Sequence, residues 1–563
     1  MTQLIGPESL LVSLVLLLAV TFPQFGASWF AWIERNFGAL ARRKKISVLI
    51  CGIAALAFRA AILPVLPVPL PFIQDEFSYL LAADTFAHGR LTNPTPPMWE
   101  HFEAIHVISQ PTYASKYPVM QGLILAAGKV IGGHPFVGVW LSVGIMCAAI
   151  CWMLQAWLPP QWALLGGLLA VMRIAAFSYW SNSYWGGAAA AIGGALVLGA
   201  LPRIMRRQRV RDSIVMALGL GILANSRPFE GLMLALPVAV ALLIWIFRKR
   251  RGQFRPLAFR IVLPIVVVLA VVGAGMGYYF WRVTGSPVQM PYQVNQHQYP
   301  VAPYFIWQRS SPAPTFRHKI LEGYYLGAVQ RHYLQMRTPL GFLQETALRV
   351  LKIWAFYLAP ALTIPLFTLP WIVRDRRIRW LIIIGAISFA GSLAATFFDL
   401  HYIAALTCMI LAIVLTGIRH LRVWRWEGRP VGLFLARATV LVCVLVVPVQ
   451  LVTLTMRARS DAPRLGAQRA AIVSELSSQP GRQLAIVRYR PDHPPLGNEW
   501  VNNDADLEHA KVIWARDMGP KENQELTRHY RDRQVWLVEP DETPPKLSPY
   551  NTVESLRHTP VGE

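Results

Sequence analysis

From about residue 8 to residue 456 the chain is a succession of apolar blocks of roughly 20 residues, parted by short polar stretches. A helix rises about 1.5 Å per residue, so one block covers the roughly 30 Å hydrocarbon core of a bilayer. The pattern predicts twelve helices, near 8–32, 46–66, 136–157, 161–180, 185–204, 213–226, 229–247, 261–281, 353–373, 380–398, 400–418 and 430–456. A thirteenth apolar stretch, 117–133, is shorter and is broken by Gly122, Gly128, Lys129, Gly132 and Gly133. Beyond 456 the pattern changes. A helical period at 464–478 is followed by short β-rich runs at 484–489, 510–515 and 534–539, with a helical segment at 519–532. Strand, helix, strand at this spacing predicts a small α/β domain with a parallel pair. No glycine-rich phosphate loop accompanies it, so no nucleotide is assigned.

Composition narrows the class. The chain is 54% hydrophobic and 15% charged, against about 25% charged in a soluble protein. A soluble enzyme, a disordered chain, a disulfide scaffold and a fibre are excluded. The net charge of +24 invites a nucleic-acid reading until it is located. Five short basic runs, 42–45, 203–211, 248–260, 374–379 and 419–429, hold nearly all of it, and each lies between apolar blocks. Basic residues in short loops mark the cytoplasmic side. The charge is thus a topology signal, attraction to anionic lipid is a by-product, and no nucleic acid is expected. If 117–133 crossed the bilayer, the runs at 203–211 and 248–260 would fall on the wrong side. With 117–133 in the interface or re-entrant, all five share one face. The other face then carries 67–135, 181–185, 225–230, 282–352, 399–401 and everything after 456. The first helix begins outside and reads as a retained span rather than a cleaved signal, with a loop from Glu34 to Lys45.

The fold class is therefore a polytopic α-helical membrane protein of about twelve spans with a small C-terminal extracytoplasmic α/β domain. Its parts are an extra N-terminal helix and basic loop (1–45), a transmembrane domain (46–456) with outer loops 67–135 and 282–352, and the soluble domain (457–563). Cys51, Cys147, Cys151, Cys408 and Cys443 all lie in apolar blocks. No disulfide framework follows, and Cys147 and Cys151, four apart on one helix face, fit core packing.

The outer face holds the candidate chemistry. Asp75 and Glu76 stand side by side just past the 46–66 helix, in Pro71-Phe-Ile-Gln-Asp-Glu-Phe-Ser-Tyr-Leu80. Adjacent carboxylates at a membrane surface are costly unless solvated, paired or used. Asp75 equally fits an N-cap for the helix that follows. Arg227 and Glu230 lie between two apolar blocks, either as functional charges or as a pair that caps the helix starting at Pro228. Lys116 precedes the 117–133 stretch, where it would meet an anionic headgroup or snorkel. In Ser178-Tyr-Trp-Ser-Asn-Ser-Tyr-Trp-Gly-Gly187, an aromatic belt explains Tyr179, Trp180 and Trp185, while Asn182 and its serines could hydrogen-bond a sugar. His297, Tyr299 and Trp307 lie in an outer loop, the kind of segment that carries specificity.

An acidic pair after an early transmembrane helix, followed by Tyr79-Leu-Leu-Ala-Ala-Asp84, resembles the GT-C superfamily of glycosyltransferases. The resemblance is closest to its protein O-mannosyltransferase and lipid A aminoarabinose transferase branch. Ser115-Lys-Tyr-Pro118 before an interface helix is similar to that family's Lys-Pro-Pro segment, with a single proline here, and the N-terminal helix is an addition. The resemblance implies transfer of a sugar from a polyprenyl-phosphate donor to an extracytoplasmic glycan, lipid or protein, with inversion. It implies Asp75 as base with Glu76 orienting it or binding a sugar hydroxyl. Lys116, Arg227 and His401 would hold the donor phosphate. Tyr179, Asn182, Trp185, Glu230, His297, Tyr299 and Tyr402 would contact substrate. No cofactor is required, although the pair Asp75 and Glu76 could take a divalent ion through oxygen ligands. A bacterial inner membrane suits the short loops and the lack of cysteine in polar segments. The rival readings are a transporter or flippase of a lipid-linked or polar substrate, which would need access from both faces, and a non-catalytic envelope scaffold built on 457–563.

Overall fold

The computed structural model describes residues 5–249, 254–458, 466–494, 496 and 499–550. Parts of the basic run 248–260, the start of the 464–478 helix and the end of the C-terminal segment lie outside these. The N-terminal block is two helices rather than one, α1 (Ile5–Thr21) and α2 (Ala27–Ala41). Pro23 cannot continue α1, and Gly26 takes a left-handed φ of 67° that starts α2 afresh. The stretch expected as a loop from Glu34 is thus helical to Ala41. Glu34 accepts two hydrogen bonds from Arg422 (3.2 and 2.9 Å) and two from Arg437 (2.9 and 3.1 Å).

The remaining helices run α3 (Lys44–Ala61), α4 (Gln74–Ala87), α5 (Val119–Gly132), α6 (Pro135–Trp157), α7 (Pro160–Ala170), α8 (Ala188–Arg207), α9 (Val210–Ala224), α10 (Pro228–Lys249) and α11 (Ala258–Thr284). Then come α12 (Pro291–Gln298), α13 (Pro339–Arg374), α14 (Arg379–Ser392), α15 (Leu400–Val423) and α16 (Val431–Ala458). A short hairpin, β1 (Val107–Ile108) with β2 (Ala114–Ser115), sits between α4 and α5. Among the described residues seven helices, α6, α8, α10, α11, α13, α15 and α16, are long and apolar enough to cross a membrane, and the chain is an integral membrane protein. The other predicted blocks form shorter helices. α13 begins fourteen residues earlier than its apolar block. Thr338 caps it by accepting from Gly341 N at 3.1 Å, with Pro339 in its first turn. The 282–352 stretch is consequently helical in several pieces rather than one open loop.

Hydrogen bonds sort the loops into two ends. At one, Gln155 of α6 donates to Lys44 O (2.9 Å) and Arg203 donates to Trp152 O (2.8 Å). Ser213 bonds Arg260 O (3.1 Å), and His420 faces Asp375 at 3.7 Å. The five basic runs meet there. At the other end, Arg59 donates to the carbonyls of Leu66, Pro67 and Ser181, and Met120 N donates to Asn225 O at 2.9 Å. α5 has both ends on this second face. Gln121 near its start donates to Tyr184 O (2.8 Å), and Lys129 near its end pairs with Asp84 of α4 at 2.5 Å. Gly128 and Gly138 let α5 turn tightly onto α6, since a Cβ at Gly128 would lie 2.1 Å from Gly138 N.

After α16 come α17 (Ala467–Ser478), β3 (Arg482–Val487), β4 (Val512–Arg516), α18 (Pro520–His529), β5 (Arg533–Glu539) and β6 (Lys546–Pro549). The sheet order is β4-β3-β5-β6. β4 and β5, joined through α18, do not pair with each other. Each lies parallel to β3, whose Leu484, Ala485 and Ile486 are fully buried. A strand covered on both faces takes the centre, and β6 closes the edge antiparallel. The sheet sits on the second face. Leu484, Ile486 and Ile513 share a core with Leu81, Phe102 and Val107, and Ala505 N donates to Asp84 at 2.9 Å.

Candidate active site at the mouth of the helical bundle

The two adjacent acids do different things. Glu76 is 4% exposed. Its Oε2 accepts from Phe72 N (2.9 Å) and Ile73 N (3.2 Å), and its Oε1 accepts from Tyr184 N (3.0 Å). It satisfies the free N–H groups at the start of α4 and ties that helix to the 178–187 segment. Burial still pushes its carboxyl up. The cap of α4 is therefore supplied by Glu76, at its third position, and not by Asp75. Glu76 neither orients Asp75 nor faces open space, since consecutive helical residues point apart. Both Glu76 oxygens accept from backbone donors. Among the described residues no group of three or more His, Cys, Asp or Glu is placed to hold a metal.

Asp75 is a quarter exposed. Its Oδ1 accepts from the Tyr117 hydroxyl, and its Oδ2 lies 3.8 Å from His106 Nε2. The hairpin delivers both partners. Lys116 N donates to His106 O (3.2 Å), while the Ser78 hydroxyl bonds His106 O and Ser115 Oγ, each at 2.7 Å. His106 itself has a left-handed φ of 68°, a conformation few side chains adopt. Burial, then the charge of Lys116, pushes the imidazole well below its ordinary value. The Tyr324 hydroxyl reaches its Nε2 at 3.1 Å. Asp75 thus accepts from one neutral donor, the Tyr117 hydroxyl, and keeps a quarter of its side chain exposed.

Cations face it. Lys116 is 7% exposed, with Nζ 5.3 Å from the Tyr117 ring centre and 5.9 Å from that of Tyr292. Burial pushes its amine down to about 8, against the pull of the Asp75 charge. The Arg227 guanidinium lies over the Tyr402 ring at 4.2 Å. Arg227 and Glu230 feel each other's charge but close no ion pair, so the capping pair, one of the two readings of the sequence, is not formed. Asp399 also belongs here. Burial, then the charge of Asp75, pushes its carboxyl up to about 6, with Arg227 opposing.

The wall beside Arg227 is aromatic. The Tyr179 hydroxyl is 2.9 Å from His401 Nδ1, and the His401 ring packs on Trp185 (4.9 Å) and Tyr402 (5.0 Å). Asn182 spends its amide N–H groups on Ser178 O and Ser181 Oγ and leaves its buried Oδ1 unpartnered. Three sequence candidates stand apart. His297 is exposed on α12. Trp307 is exposed and stacked on Phe305 at 4.8 Å. Tyr299 is buried, with its hydroxyl donating to Glu103 at 2.7 Å. His106, Tyr292, Tyr324 and Asp399 went unselected in the sequence. The only signal for the tyrosines is their density between 292 and 325.

No family model matches the chain, and no curated protein does. Among solved structures, ArnT from Cupriavidus metallidurans in the apo state is similar, with 12% identity over 86% of this chain and 92% of that one and a TM-score of 0.47. So is the Archaeoglobus fulgidus oligosaccharyltransferase in its apo form, at 10% identity over 88% of this chain and 69% of that one, TM-score 0.47. The same organism's oligosaccharyltransferase AglB in complex with an inhibitory peptide and a dolichol-phosphate matches over the same shares at 10% identity, TM-score 0.45. ArnT and AglB are members of the GT-C superfamily.

Proposed function

We propose that this protein transfers a sugar from a polyprenyl-phosphate donor to an extracytoplasmic glycan, lipid or protein, with inversion at the anomeric carbon. The observation that carries this is one partly open carboxylate, Asp75, whose charge reaches the buried Lys116 amine, with the Arg227 guanidinium over Tyr402 near that amine. Asp75 takes the proton of an acceptor hydroxyl as that oxygen bonds to the anomeric carbon. The bond from that carbon to the phosphate oxygen breaks, and the lipid monophosphate leaves with the electron pair. Lys116 and Arg227 hold the phosphate and stabilise its developing charge. Arg227, already stacked on Tyr402, has no carboxylate to give up first. A single displacement inverts the centre. Tyr179, Trp185, His401 and Tyr402 wall the donor side, and the bundle's apolar surface takes the prenyl chain.

The basic end of the bundle is the cytoplasmic end on this reading, so the site and the sheet face outward, across an inner membrane of about twelve spans. The segment 457–563 is then a lid domain over the acceptor side. The test is Asp75→Asn in the full-length protein. Mass spectrometry of lipid-linked sugars and envelope glycans should show donor accumulating and product lost, with expression and gel-filtration behaviour unchanged. Undiminished transfer by this variant would overturn the assignment.

A further inference from the structure

A second cavity, of about 150 Å³, lies on the same face away from Asp75, lined by Trp99, Glu103, Gln110, Gln298, Tyr299, Phe316 and Arg317 among others. We propose that it is a subsite for one hydroxyl-rich sugar residue of the acceptor. The inference rests on the transferase reading and deepens it by naming the acceptor class as a glycan or glycolipid.

Its chemistry is that of a built site. Glu103 is 2% exposed. Its Oε1 accepts from the Tyr299 hydroxyl at 2.7 Å, while its Oε2 has no hydrogen-bond partner. His318 Nε2 is 3.3 Å from that oxygen but donates to Glu100 O at 2.8 Å. Although burial raises its pKa, His318, Tyr299 and Arg317 hold the Glu103 carboxyl below its ordinary value, so it remains an acceptor. Gln298 gives its amide N–H to Gln110 O (2.7 Å) and leaves its Oε1 buried and unpartnered. A buried acceptor without a donor is costly, and Gln298 Oε1 beside the ion-paired Glu103 carboxylate calls for a ligand that brings an O–H group. Arg317 adds donors at the mouth. It is about half exposed, 3.6 Å from Glu103 and 4.8 Å from the Trp99 ring centre. The aromatic faces of Trp99 and Phe316 suit the C–H faces of a pyranose. A few polar groups among aromatics is the ordinary make-up of a small-molecule site. The volume matches about five waters, which is one sugar ring.

Its position fits a chain of sugars. Tyr299 stacks on Tyr325 (5.7 Å), Tyr325 packs on Tyr324 (4.9 Å), and Tyr324 bonds His106 beside Asp75. A tyrosine layer thus separates the two sites. An acceptor anchored in the cavity would have to carry several further sugars across this layer to reach Asp75.

The test titrates methyl glucoside, methyl galactoside and methyl mannoside into the purified full-length protein, read by saturation-transfer NMR. The variants are Gln298→Leu, Arg317→Ala and Asp75→Asn, each checked for an unchanged thermal transition. At least one hexoside should bind the native protein and Asp75→Asn alike, and bind at least tenfold more weakly to Gln298→Leu and Arg317→Ala. No binding by any of the three, or binding that the cavity variants leave intact, overturns the subsite. Failure of the transferase reading shows elsewhere, as full transfer by Asp75→Asn, whatever the hexosides do.

Discussion

Two arginines in the apolar bundle have opposite surroundings. Arg173, beyond α7, gives Nη1 to both oxygens of Glu8 (3.1 and 3.0 Å) and Nη2 to Leu358 O (3.1 Å). Glu8 also accepts from Ala361 N at 3.0 Å. Every charge there is matched inside the protein, and the pair pins α1 to α13. Arg227 has only the face of Tyr402 beneath it and a carboxylate, Glu230, nearby but unpaired. A charge in a low-dielectric site is tolerated when it is paired or when it has work to do. The first arginine holds the fold together. On the proposed reading, the second receives an anion from outside.

That contrast can be broken at its firmer half first. Glu8→Ala should cost about 3–5 kcal/mol, because it strands a buried guanidinium. The thermal transition in detergent should fall sharply, with transfer per folded molecule unchanged. Arg227→Met should do the reverse. Transfer should drop by about 10²–10³-fold, the usual cost of losing one stabiliser of developing charge, while the transition temperature stays level or rises, since an unpaired charge has gone. If Arg227→Met unfolds the protein, Arg227 is structural and the contrast collapses.

The sequence and the structure agree where a long-range rule applies and part where a local one competes. Apolar block length suffices to read seven long helices among the described residues, and the basic runs suffice to bring 67–76, 116–121, 181–185 and 225–230 to one end, because each depends on the bilayer rather than on side-chain geometry. The broken first helix needed the Pro23 and Gly26 punctuation to be weighed above hydropathy. The early start of α13 was written in Thr338-Pro339, a cap followed by a first-turn proline, but that signal sits in an otherwise polar stretch. At the site, Asp75, Lys116 and Arg227 were legible because charges at a membrane face are rare. His106 and Tyr324 were not, since nothing local marks a histidine 31 residues along, or a tyrosine 249 residues along, as a neighbour of Asp75. Only the hairpin and the packing of the 319–336 helical stretch decide that.

Glu76 sharpens the comparison at the scale of one residue, a matched acid beside an open one. Glu76→Gln sets an amide N–H₂ against backbone donors on one side, at a cost of about 1–3 kcal/mol. The transition temperature should fall modestly, and kcat per folded molecule should hold within a few-fold. A large loss of kcat with stability intact would instead make Glu76 a participant in the chemistry.

The smallest expected effect concerns Lys116, whose amine burial pushes down to about 8 from the ordinary lysine range. The unfolded chain holds this proton more tightly than the folded one. Protonated Lys116 therefore costs stability below about pH 8, and the cost fades as pH rises from there toward the ordinary value. On the proposed reading function runs the other way, because only the ammonium form would hold a phosphate. For the native protein, kcat/KM for the donor should fall above about pH 8, approaching about tenfold per pH unit. Lys116→Arg keeps its charge across this range and should lose that limb, at a lower plateau, because the guanidinium is larger than the buried ammonium it replaces. Lys116→Met should be low and flat. An alkaline limb that persists in Lys116→Arg would assign the titration to another group and leave Arg227 as the sole phosphate cation.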